Sequence, residues 1–378
     1  SRGRSGIMDF HAILEPGDIP KPGLWYVLAP RGQPPPVTVG HTCTHLASSR
    51  GGAMGRVLIV GGANPEASFK HTVVLDLDTY EWHTPDWRGL QPRYEHAAFV
   101  SSSSSAGLWV FGGADRTGNR NCVQRLDLEQ RRWESPPVEG TPPCPRTYHS
   151  GAAAVGGTLY VVGGGAHGAS AVRDARLYAF DSVSQRWSCP ETSGVAPSPR
   201  HHAVACVGAR LYVHAGMDGA DFLSDLHVLD TAALRWEKGR CRGDVPSARA
   251  AHAALAHGRF LYTFGGLGPA GALSCAYKFH VDKQRWTLVK LNCPPPAPHS
   301  THSPRAARWI GDGSRTLYGA TGVATPHRPD VVAAAGAGRG PASVIGEPAG
   351  GTVSLCLVFG GMDGEGEIFN DCMAMLLE

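Results

Sequence analysis

Six short apolar runs recur along this 378-residue chain, five of them closing on a pair of glycines, and no other feature limits the fold as tightly. VLIVGG ends at Gly62, LWVFGG at Gly113, LYVVGG at Gly164, LYTFGG at Gly266 and CLVFGG at Gly361. The leading glycines of these pairs are Gly61, Gly112, Gly163, Gly265 and Gly360, and LYVHAG is a degenerate copy with Ala215 before Gly216. A second element follows: Leu-Asp at 75–76, 126–127 and 229–230, Phe-Asp at 180–181 and Phe-His at 279–280. Six residues after that Asp or His stands a tryptophan, giving Trp82, Trp133, Trp187, Trp236 and Trp286. A third element precedes each Gly pair. Arg93-x-x-His96, Arg146-x-x-His149 and Arg249-x-x-His252 share one form, and His41, His202 and His302 fill the same place.

The apolar runs are β-rich and too short for helices, and glycine pairs end them. Glycine there permits positive φ and lets a neighbouring backbone come close. The Asp suits a hairpin turn, because its carboxylate accepts nearby backbone N–H groups. Each unit is therefore three or four short antiparallel strands, too small to bury its own faces, and the units must stack. A β-propeller stacks such sheets radially.

Register also predicts how the ring closes. Trp25 lies 16 residues before His41, a spacing that matches Trp133 to His149 and Trp236 to His252, so it holds a Trp position with no unit ahead of it. The sixth unit has Gly360-Gly361, but its own Trp would fall near residue 381, past Glu378. LWYVL at 24–28 is thus expected to supply the outer strand of the last blade, leaving no free sheet edge where head and tail meet. The expected fold is all-β: a six-bladed propeller over 21–378 after a tail of 1–20, with Met8 as the natural start. One irregularity stands out. His302 to Gly360 is 58 residues against 13 to 20 in the other units. A disordered low-complexity insertion is expected at about 303–352, where Ala, Gly, Pro and Ser dominate.

Composition excludes several classes of function. A net charge of +3 from 35 basic and 32 acidic side chains leaves no electrostatic footprint for nucleic acid. No apolar stretch is long enough for a membrane-spanning helix, so no direct membrane insertion is expected. No two of the ten cysteines form a C-x-x-C pair and no glycosylation sequon occurs, which points to free thiols in a reducing, cytoplasmic setting.

A Gly pair closing one strand with a Trp at fixed distance downstream resembles the kelch repeat, over about 24–378. Within that family, LEPGD, VGGANP, LQPRYEHAAFV, WVFGGAD, GNRNC, GGLGPAGAL and VFGGMDGEGEIFNDC are similar to the Rab-effector group. The resemblance implies a non-enzymatic, monomeric scaffold. Its partner would be a late-endosomal Rab GTPase in its GTP form, which recruits the chain peripherally to endosomal membranes in endosome-to-trans-Golgi transport. A ubiquitin-ligase substrate receptor is the alternative, and a metal-dependent enzyme the third reading. The chain departs from the repeat pattern at Thr38, at PRHHAV over 199–204, and at Ala215.

Catalytic, cofactor and metal sites are not expected. Equivalent histidines on neighbouring blades would stand a sheet-packing distance of roughly 10 Å apart, too far to share a zinc ion, so each is read as bonded within its own blade. Gly163 to Gly168 spells G-x-G-x-x-G but leads into a strand rather than the helix that phosphate binding requires. Partner contact is instead expected from Arg93, Arg146 and Arg249 with Tyr94 and Tyr148. The alternative for the arginines is a structural one, bonding carbonyls between blades. Loops after the Gly pairs form a second candidate surface.

Overall fold

The computed structural model describes residues 11–101, 107–147, 154–166, 170–197, 202–291, 321–329, 351–362 and 368–378. Six sheets succeed one another along the chain, each built on four antiparallel strands, and four of them carry a fifth, two-residue strand paired in parallel at the outer edge. Blade one runs Thr42–Leu46, Arg56–Val60, Thr72–Asp76 and Glu81–His83 from inside to outside. Blades two to five repeat that order, opening on Ala97–Val100, Ala154–Val155, Ala203–Val207 and Ala253–His257. Blade six is assembled from Thr321–His327, Val353–Met362, Ile368–Leu376 and the N-terminal Trp25–Leu28. Trp25 pairs antiparallel with Met375 and Leu28 with Cys372, so the expected closing strand is in place.

The core is a ring rather than a ball. One apolar cluster joins blades two, three and four through Phe111, Trp187 and Trp236, and another joins four and five through Leu226 and Trp286. Three more join five to six, six to one and one to two, so all six blade contacts are apolar. The repeat arithmetic follows from this packing. The residue just before a Gly pair lies against the next blade's tryptophan: Phe111 against Trp187 at 4.8 Å, Phe264 against Trp25 at 5.7 Å, and Phe359 against Trp82 at 5.9 Å between ring centroids. Such aromatic pairs add to plain area burial, which ties the two motif positions together.

At the outer hairpins of blades one to four the Asp accepts two backbone N–H groups, as Asp76 does from Asp78 and Thr79 and Asp230 does from Ala232 and Ala233. Two residues before Trp82, Trp133, Trp187, Trp236 and Trp286 the chain turns left-handed without glycine, at Tyr80, Arg131, Gln185, Leu234 and Gln284, with φ between 48° and 55°. A left-handed non-glycine residue costs roughly 1–2 kcal/mol, and glycine's looser unfolded chain returns about half of that. Gln284 is exposed, so Gln284→Gly loses no packing and is expected to stabilise the fold by about 0.5–1 kcal/mol. Urea denaturation reads this directly, and an unchanged or lowered midpoint would count against the strain.

A second register runs through the linkers. Seven residues after Trp25, Trp82, Trp133, Trp187 and Trp236 stands a glycine, Gly32, Gly89, Gly140, Gly194 and Gly243, each with positive φ; after Trp286 the place is held by Cys293. A Cβ on any of them would sit 2.1–2.3 Å from the carbonyl oxygen of the next blade's tryptophan. Short parallel pairings such as Gly32 with Trp82 and Gly243 with Trp286 hold each linker on the following blade.

Two expected boundaries change. The N-terminal tail does not extend to residue 20, because Ala12–Ile13 pairs parallel with Tyr26–Val27 and Leu14 is buried. The single insertion at 303–352 is interrupted by the inner strand of blade six, Thr321–His327, whose Thr321 pairs with Phe359. That strand carries no His at its head and contains Pro326, which the innermost, edge position tolerates. Residues 303–320 and 330–350 of the expected insertion, and His302 with them, lie outside the described residues.

Candidate interaction face

The Gly pairs, the Arg-x-x-His segments and the loops between second and third strands gather at one face of the ring. Each arginine there is bonded on two sides. The Arg93 backbone N–H donates to Phe69 O and its carbonyl accepts from Gly62 N at 2.8 Å, both in blade one. Its guanidinium serves blade two, donating to Gly112 O at 3.1 Å and Gln124 Oε1 at 2.8 Å. Arg146 donates likewise to Gly163 O at 2.9 Å and Arg249 to Gly265 O at 3.0 Å. Tyr178 and Tyr277 add ring faces 5.5 and 5.1 Å from the Arg146 and Arg249 guanidinium carbons. At the first seam the leading position requires glycine, since a Cβ on Gly61 would lie 2.4 Å from Arg93 O, whereas blade four accommodates Ala215 there at φ 58°.

All three side chains are 0% exposed. The reading of Arg93, Arg146 and Arg249 as guanidinium forks facing a partner is therefore corrected. They lock blades together, through the backbone between blades and the side chain within one. Burial, the largest influence, lowers the Arg93 guanidinium from its ordinary range. Tyr94 is half-buried, with its backbone bridged to Ala114. Tyr148 lies outside the described residues, as do His149 and Arg200.

The histidines also differ from expectation: they bond backward to the preceding blade rather than within their own. His41 Nε2 donates to Phe359 O of blade six at 3.1 Å, and His96 Nε2 meets Thr42 Oγ1 of blade one at 3.0 Å. His252 Nε2 meets His214 Nδ1 of blade four at 3.0 Å. Burial pushes His41 down to about 4 and His214 to about 3, and holds His252 well below its ordinary value. The His41, His214 and His252 rings are neutral structural ties.

The loops of this face are stitched across blades. Arg116 of blade two donates to Glu66 O of blade one, and Asn119 donates to Ala166 O of blade three. Asn370 donates to Pro35 O at 3.1 Å across the ring closure. Arg120 pairs with Asp115 and donates to Gln91 Oε1 at 2.9 Å. Burial works to raise the Asp115 carboxyl, but bonds from Thr117 and Arg120 outweigh it and hold it below the usual range. The sequence places Asp115–Arg120 in the second candidate surface, after the Gly112-Gly113 pair, but does not show the cross-blade partners of its side chains. Asn119 and Asn121 in GNRNC are the kind of short amide that reaches neighbouring carbonyls, and Asn121 does so to Pro143 O at 3.1 Å.

Among the described residues, no group of three His, Cys, Asp or Glu side chains is placed to hold a metal ion, and no helix is long and apolar enough to cross a membrane. The family model described as the KLHDC2/KLHL20/DRC7 Kelch-repeats domain matches residues 40–266. This chain belongs to the kelch-repeat family. Within it, the chain is 42% identical over 376 residues to the Rab9 effector protein with kelch motifs of Mus musculus, covering 99% of both chains. Against the protein of that name from Rattus norvegicus it is 42% identical over 367 residues, 97% of this kelch chain and 99% of the relative. With the Homo sapiens protein of that name it shares 46% identity over 215 residues, 57% of this chain and 58% of the other.

Proposed function

We propose that this kelch propeller is a non-enzymatic scaffold that binds a Rab GTPase in its GTP form and acts in endosome-to-trans-Golgi transport. The observation that carries the reading is end-to-end similarity to kelch proteins named as Rab9 effectors, at 42% identity over 99% of each chain. The architecture suits the role. Buried arginines and neutral histidines fix the blades, so loops can be presented on a rigid ring to switch segments that become ordered around a γ-phosphate. On this reading the chain is a cytoplasmic monomer that reaches endosomal membranes through its partner, without inserting into lipid or binding nucleic acid.

The partner surface consists of the stitched loops around Tyr94, Asp115–Asn121 and Met217–Asp221, not the buried guanidinium groups. Rab9 loaded with a non-hydrolysable GTP analogue is expected to retain the propeller in a pull-down, whereas the GDP-loaded form is not. Equal retention of both forms, or of neither, removes the reading.

A further inference from the structure

On the opposite face, where the first-to-second and third-to-fourth strand turns emerge, a cleft of about 1000 Å³ opens between blades one and two. Its apolar side is built from Leu46, Trp87 and Leu128, half-buried side chains packed on the core that joins these two blades. Its polar side carries Arg50, Arg56 and Arg131. The two carboxylates in the cleft are already engaged. Asp78 accepts from Met54 N at 2.9 Å and Gly55 N at 3.3 Å. Asp76 accepts from Asp78 N and Thr79 N at 3.0 Å each and takes Arg56 Nε at 3.4 Å. Arg50 and Arg131 are exposed, and among the described residues neither has a carboxylate within ion-pair distance. Arg328, at the end of the inner strand of blade six, adds another exposed guanidinium where it donates to Gly52 O on the cleft rim.

We infer that this cleft docks an acidic peptide segment of a partner protein, with an apolar side chain against Trp87 and flanking carboxylates on Arg50 and Arg131. Charge complementarity selects the occupant. Internal acids consume Arg56 and leave two guanidinium groups to be matched from outside, and guanidinium matches carboxylate in fork geometry. Tryptophan and arginine are also the residue types enriched where binding energy concentrates. Arg50 stands on the first-to-second turn of blade one and Arg131 on the third-to-fourth turn of blade two, so the two cations come from different blades, which fits carboxylates spaced along an extended chain better than a single phosphate. A concave site of this depth is likewise a poor match for a flat lipid surface. The cleft lies on the face away from the Gly pairs and so goes beyond the Rab reading.

The test uses the full chain and a fluorescein-labelled peptide of sequence GEDLFEDG, with its Gln/Asn counterpart GQNLFQNG as control. Saturable anisotropy is expected at peptide affinities of about 0.1 mM or better. Arg50→Glu and Arg131→Glu are expected to weaken binding by about tenfold each, without changing the thermal midpoint, because both side chains are exposed. The neutral counterpart should bind about tenfold more weakly as well. No saturable binding of the acidic peptide overturns the proposal, and so does binding that ignores both charge reversals. Phosphatidylserine vesicles form the third arm: vesicle binding lost in Arg50→Glu, with peptide binding intact, would assign the cations to a membrane and overturn the peptide reading.

Discussion

Lowering the pH from 7 to 5 is expected to remove about 5 kcal/mol of stability, much of what a domain ordinarily has, before most carboxylates titrate. The cause is His41, His214 and His252. In the unfolded chain each ring protonates near 6.5. In the folded ring, burial holds His41 neutral to about 4 and His214 to about 3, with His252 also well below 6.5. Between those values the unfolded state binds more protons, so acid favours unfolding. The contribution is full above pH 6.5 and is lost as pH falls toward 4. Near pH 5.5 the slope should approach about 4 kcal/mol per pH unit, close to three protons.

Asp76, Asp115, Asp174 and Asp230 are held below the usual carboxylate range, so their losses come later, at lower pH. Urea denaturation at pH 7.5, 6.5 and 5.5 gives the proton count from the slope. His41→Asn keeps a donor for Phe359 O and should lower that count by about one. A flat profile down to pH 5, or a slope unchanged in that variant, would mean that these rings do not set the acid limit.

How far the sequence revealed this depended on whether a constraint repeats as a residue type. The Gly pairs and tryptophans do, because one face of each blade must fit the next. Their spacing therefore carried both the number of blades and the closing role of Trp25. The linker glycines Gly32, Gly89, Gly140, Gly194 and Gly243 repeat seven residues after five of the six repeat tryptophans, yet they are hidden among 49 glycines until the tryptophan carbonyls they approach are located. Depth was not legible at all. Arg-x-x-His reads the same whether the guanidinium faces solvent or, like Arg249, is 0% exposed and bonded to Gly265 O. The inner strand of blade six is hard to read from sequence because TGVATPH lacks the Arg-x-x-His head and includes a proline, while the repeat register points to His302 instead. Cross-blade partners such as His214 for His252, 38 residues apart, depend on how neighbouring blades meet, which a single unit's motif does not encode.

Deleting the residues before Pro30 is expected to cost the protein its cooperative fold. Trp25 is 4% exposed, packs on Phe264 of blade five and on the core shared by blades five and six, and pairs with Met375. Removing a buried tryptophan costs about 3–5 kcal/mol through the lost contacts and the cavity left behind, so Trp25→Ala alone should consume a large part of the stability. The deletion goes further. It strips the outer strand from Ile368–Leu376, exposing the backbone edge beside Cys372, Met373, Ala374 and Met375, all buried in the intact ring. An unpaired edge of that kind recruits other strands. The truncated chain should therefore show concentration-dependent multimers on size-exclusion chromatography and a broadened, lowered thermal transition. A synthetic peptide of residues 11–30 should restore the monomer when added in excess, because it carries both Trp25–Leu28 and the Ala12–Ile13 pairing that backs it. A truncated chain that stays monomeric, with an unchanged midpoint and no response to the peptide, would show that the ring holds without its N-terminal strand.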